Sequence, residues 1–172
     1  KLLNKDQIHD IHKHLSDKDV CTSHVVYPGA QFHKQDTAQF NCFKLEDIIS
    51  CPHLLELALR KDILQIVTGY LGCIPTLYSM NTWWSRAGYR KAGPQDFHRD
   101  MDDFRFCSLF IYLTDVDESA GPHVFIARTH DFDSLSSLIG KEAALSMFPP
   151  AAKNGYGFNA LYDAYLDKHK VT

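Results

Sequence analysis

The order of elements predicts an α+β chain built on a mainly antiparallel sheet or barrel. Helical periodicity dominates the first half and returns at the end, strand formers cluster between residues 75 and 128, and two strand-like runs stand side by side around an acidic turn. At 172 residues the chain has room for one substantial core, so residues 1–172 are read as a single domain.

Ile8, Ile11 and Leu15 fall at i, i+3 and i+7, which predicts an amphipathic helix over residues 6–15. His9, His12 and His14 lie mainly off that stripe and are expected to be solvated, since no fixed carboxylate or Cys completes a ligand set. "VCTSHVVYP" reads as a short strand ended by Pro28-Gly29, and "FNCFKL" as a second extended piece. From Pro52, apolar residues recur at helical spacing until Gly69 and Gly72, giving one long helix or two short ones. "IPTLYSMNTWWSR" is aromatic and bounded by Pro75 and Gly88, so it is expected to be a strand. On a strand, Trp83 and Trp84 face opposite ways, one toward a pocket or core and the other beneath a helix. "FCSLFIYLTDV" and "PHVFIAR" flank the turn "DESAG", so residues 106–128 read as two antiparallel strands. "GKEAALSMF" and "NALYDAYLDKH" are expected to be short helices separated by the loop "PPAAKNGYG".

The net charge of -3 arises from scattered mixed signs, which sets up no steering field for nucleic acid or an anionic membrane surface. No apolar run reaches membrane-spanning length and the first residues lack a signal-peptide core, so a cytoplasmic protein is expected. The five cysteines form no C-x-x-C pair and are expected to be reduced and mostly buried.

Chemistry concentrates in "QDFHRDMDDFRFCSLFIYLTDV", residues 95–116. A mononuclear non-haem iron(II) site takes two His and one carboxylate on one face of the metal and leaves the other open. In extended chain His98 and Asp100 project to the same side, so both can reach one ion while Arg99 faces away. The spacing alone is weak, because chance supplies roughly one His-X-Asp in a chain of this composition. Asp102 and Asp103 read as exposed neighbours in a charged loop, and Arg86, Tyr89 and Arg90 suit either an anionic substrate or a solvated loop.

The context is more specific. Residues 95–130, "QDFHRDMDDFRFCSLFIYLTDVDESAGPHVFIARTH", resemble the phytanoyl-CoA dioxygenase family of Fe(II)/2-oxoglutarate-dependent oxygenases. There a His-X-Asp precedes a buried strand, an acidic turn closing on Gly-Pro, a second strand, and a small residue followed by His. Fainter similarity extends back through residues 53–71 and 75–85.

The resemblance implies a double-stranded β-helix, a cupin-like jelly-roll barrel with flanking helices. It implies that His98 and Asp100 ligate iron, and that Asn81, Gln95 and Lys44 contact 2-oxoglutarate beside a pocket wall formed by Phe110. Each of these four also has a plainer use: Asn81 capping a strand end, Gln95 in a turn, Lys44 solvated, Phe110 in the core. The family pattern further calls for a second His on a later strand and an Arg for the distal carboxylate of 2-oxoglutarate. His123, His130 and His169 do not fit that place, so the C-terminal strands are expected to be missing from residues 1–172.

The function so implied is oxidation, usually hydroxylation, of a small organic metabolite, with O2 consumed and 2-oxoglutarate converted to succinate and CO2. A carboxylate at position 100 favours hydroxylation or desaturation over halogenation, which in related enzymes uses a small residue there. The competing expectations are a non-catalytic jelly-roll barrel that binds a small ligand or protein partner and, less supported, a zinc hydrolase, for which close additional ligands are lacking. Substrate identity and oligomeric state have no readable code in the sequence.

Overall fold

A computed structural model describes residues 2–23, 26–87, 95, 100, 106–127, 129 and 132–147. The chain divides into two compact units, one of Lys1–Tyr89 with Cys107–Val116 and the other of Arg90–Phe106 with Asp117–Thr172.

The first unit opens with α1 (Lys5–Leu15), started by a capping box in which the Asn4 side chain accepts from the Gln7 amide and Gln7 returns a bond to Asn4. Its apolar stripe is buried as the spacing predicts: Ile11 and Leu15 are wholly buried and Ile8 packs beside them. The strands β1 (Val20–Cys21), β2 (Phe40–Phe43) and β3 (Trp83–Ser85) form one antiparallel sheet in that order. Val20 pairs with Phe43 and Cys21 with Cys42, while Cys42 pairs with Trp83 and Phe40 with Ser85. Between β2 and β3 lie α2 (Leu45–Ile49), α3 (Leu54–Ala58) and α4 (Lys61–Leu71), so the apolar run after Pro52 is two helices. Gly72, at φ 74, ends α4 in the left-handed conformation that suits glycine.

Ile11, Leu15, Val20, Phe43, Ile48, Cys51, Leu54, Leu57 and Ile63 make one core under the sheet and helices. Trp84 packs on that core, edge-on to Phe43 at 6.3 Å and to the His12 ring of α1 at 5.3 Å. It is therefore the tryptophan beneath the helix, and Trp83 alternates to the other sheet face beside Cys42.

Asn41 is the one buried polar side chain among the described residues, at 1% exposure. Its amide closes the turn before β2: Oδ1 accepts from the Asp36 amide at 3.2 Å and Nδ2 donates to the Ala38 carbonyl at 3.2 Å. Asn41→Leu, which keeps the branched side-chain shape and removes these bonds, is expected to destabilise the chain by about 1–3 kcal/mol, the usual cost of orphaned polar groups. Urea denaturation checks this, and an unchanged midpoint would mean that the Asp36 and Ala38 groups find other partners.

Residues 110–113 alternate, with Phe110 and Tyr112 each 50% exposed and Ile111 and Leu113 packed against the core, while Cys107–Leu109 are exposed. They form no ladder among the described residues, and neither do residues 121–126, although the sequence predicts strands at both places. A strand requires a hydrogen-bonded neighbour as well as the right side chains.

In the second unit Asp117 accepts from the Ser119 and Ala120 amides at 2.9 and 3.2 Å and opens a single 3-10 turn, Glu118–Ala120, at the predicted "DESAG" turn. Hydrogen bonds from Ser119 hold its carboxyl below the ordinary value of 3.8. Further on, α5 (Phe132–Ile139) and α6 (Lys141–Met147) pack together through Leu135 and Ala144, both buried. Gly140, at φ 89, makes the sharp joint between them. The helix expected over "NALYDAYLDKH" lies outside the described residues.

Candidate functional site

The residues singled out for chemistry fall in both units. Lys44, Asn81 and Phe110 belong to the first, and Gln95 and Asp100 to the second. His98 lies outside the described residues, as do Tyr89, Arg90, Asp102 and Asp103.

The first unit brings two of these positions together. Residue numbers across β2 and β3 pair in one continuous register, and the Phe43 amide donates to the Thr82 carbonyl at 3.0 Å. Beyond that bond Lys44 and Asn81 are the next residues of the two segments, outside the paired strands.

Lys44 has extended backbone (φ -65, ψ 147) and is the residue from which α2 starts, so β2 delivers it to the rim of the sheet and the helix turns away. Its ammonium lies 4.6 Å from the centre of the Phe32 ring, a cation–π contact that fixes a long, otherwise mobile side chain. Its charge also helps hold the Asp19 carboxyl below its ordinary value, though Lys34, hydrogen-bonded to Asp19, contributes more. Asn81 is exposed, and its amide donates to the Ser79 hydroxyl at 3.1 Å.

Gln95 is exposed and Asp100 is half-buried. Phe110 is half-exposed rather than ordinary core, and a half-exposed ring can serve as a pocket wall. Arg86 is committed elsewhere: its guanidinium donates to the Asp36 carbonyl at 2.8 Å and its amide to the Gln39 carbonyl, so it ties β3 to the turn before β2. Among the described residues no group of three or more His, Cys, Asp or Glu is arranged around one point as metal ligands. Neither is any helix among them long and apolar enough to cross a membrane.

Two α1 histidines depart from the sequence reading. His12 and His14 are half-buried, not solvated. The His12 Nε2 donates to the Leu113 carbonyl at 2.8 Å and the His14 Nε2 to the Asp47 carbonyl at 3.0 Å. A carbonyl can only accept, so each ring carries its proton on Nε2. His12 thereby pins the 107–113 segment, which has no ladder of its own among the described residues, to α1. No spacing in the sequence signals this, because the partners are main-chain atoms 101 and 33 residues away.

Compared with protein-family models, curated proteins and solved structures, the chain matches none.

Proposed function

We propose that this chain carries the metal-binding His-X-Asp of an Fe(II)- and 2-oxoglutarate-dependent oxygenase acting on a small organic metabolite. The observation that carries the reading is the ordered run from Gln95 to His130, in which His98-Arg99-Asp100 precedes an apolar alternating segment and an acidic turn closing on Gly121-Pro122. The donor set is chemically apt: one imidazole and one carboxylate, completed by a further His, is the set that non-haem iron(II) takes with open positions.

On this reading His98 and Asp100 hold the metal. The bound iron supplies oxygen activation coupled to the oxidation of 2-oxoglutarate to succinate and CO2. Lys44 and Asn81 would contact 2-oxoglutarate, an ammonium and an amide both being suited to its carboxylate. On the same resemblance Gln95 and Phe110 would also contact 2-oxoglutarate. The half-buried position of Asp100 suits a ligand, which must reach an ion without being fully solvated.

The test is metal analysis with 2-oxoglutarate titration on the full-length protein. Iron near one equivalent and a change in its absorption spectrum on adding 2-oxoglutarate are expected. Failure to retain iron would refute the reading, and 2-oxoglutarate binding without iron would favour a non-catalytic binding barrel.

A further inference from the structure

Two cysteines that are far apart in sequence meet across the sheet. The β1–β2 register places Cys21 directly opposite Cys42. Opposed residues of an antiparallel pair project to one face with their Cα atoms about 4.5–5.5 Å apart. That lies inside the roughly 4.4–6.8 Å that a disulfide spans. Both are free thiols, at 2% and 0% exposure, and the Cys42 thiol donates to the Phe43 carbonyl at 3.9 Å. Cys51, by contrast, sits in the apolar core without an opposed thiol among its core neighbours, and Cys73 and Cys107 are exposed.

We propose that Cys21 and Cys42 are a redox modification site, a dithiol that a low-molecular-weight disulfide of the oxidised-glutathione class converts into a cross-strand disulfide joining β1 to β2. The Cys21 thiolate attacks one sulfur of the small disulfide, forming a mixed disulfide and expelling one small thiolate. Cys42 then gives its proton to that thiolate, its sulfur attacks the Cys21 sulfur, and the second small thiolate leaves and takes up the proton that Cys21 gave to water. Two protein thiols are oxidised to one disulfide while one small disulfide is reduced to two thiols, so no other oxidant is required.

Cys42 is the resolving sulfur because burial, with Cys21 beside it, pushes its thiol up to about 12. Access runs through β1, an edge strand of only two residues whose outer side is held by the Val20–His33 bridge, at 2.8 and 3.0 Å, so that its local opening exposes the pair. The crosslink would fasten β1 to the strand that ends at Lys44. The chemistry itself does not depend on the oxygenase reading.

The chain is incubated folded with oxidised glutathione, unfolded in N-ethylmaleimide and digested with trypsin. Cleavage after Lys18, Lys34, Lys44 and Arg60 puts Cys21, Cys42 and Cys51 on three different peptides. Peptides 19–34 and 35–44 are expected to be recovered joined, at their summed mass less two hydrogens, with Cys51 alkylated. The oxidised chain is expected to show a higher urea midpoint, a gain that Cys42→Ala removes together with the joined peptide. Three results would overturn the proposal: both cysteines recovered alkylated, Cys21 stopped as a glutathione adduct, or either joined to another cysteine. Peptide mapping of the unsubstituted chain decides this even if the variant does not fold.

Discussion

Asp100→Ala in the full-length protein is expected to reduce iron-dependent succinate formation by more than about 100-fold, because even the outer partners of metal ligands are worth 10–100-fold. Asp100 is half-buried, on the second unit, and the reading makes it the sole carboxylate of the ligand set. Its loss leaves an imidazole pair, which binds iron(II) more weakly and no longer neutralises half of the metal charge. Parallel thermal denaturation separates ligand loss from unfolding. Unchanged turnover in a folded Asp100→Ala protein would remove His98-Arg99-Asp100 from the metal site. Lost iron retention with an unaltered melting curve is the expected pattern.

Phe43→Ala is expected to cost about 3–5 kcal/mol of stability, the range for truncating a buried aromatic side chain. That is a large part of the roughly 5–15 kcal/mol that holds an ordinary domain folded. Phe43 is wholly buried, pairs with Val20, donates its amide to Thr82 and meets Trp84 edge-on. The truncation therefore empties the point where all three strands and α1 converge, and it does so one residue before Lys44. Urea denaturation measures the loss, with Phe43→Leu as a smaller truncation that keeps the core apolar. A Phe43→Ala midpoint equal to that of the unsubstituted chain would show that this core does not limit stability.

Much of the local structure was legible along the chain. The Ile8, Ile11, Leu15 stripe marks α1, "FNCF" is β2, Pro52 to Gly72 is helical, and "DESAG" is a turn. The α5 helix escaped the reading, although Phe132, Leu135 and Ile139 stand at i, i+3 and i+7. Its stripe is short and begins in a run of Ser and Asp that equally suits a loop. The strands expected at residues 106–128 illustrate the opposite case, since side-chain alternation is written in one segment but the ladder needs another. For the candidate site, the His98 and Asp100 assignment is legible only as a motif in its ordered context.

By itself the sequence determined which residues of each segment are apolar, where turns interrupt them, and that one imidazole and one carboxylate stand two residues apart ahead of an apolar segment. Those are properties of a single stretch of chain, set by periodicity and local backbone preference. Only the tertiary structure decided that Cys21 opposes Cys42, that Trp84 rather than Trp83 lies under α1, and that His12 is spent on the Leu113 carbonyl. Each of these depends on how one element is registered against another. A one-residue slip would exchange the faces of the whole strand, and the total burial of β2 and α1 together selects the register that is observed.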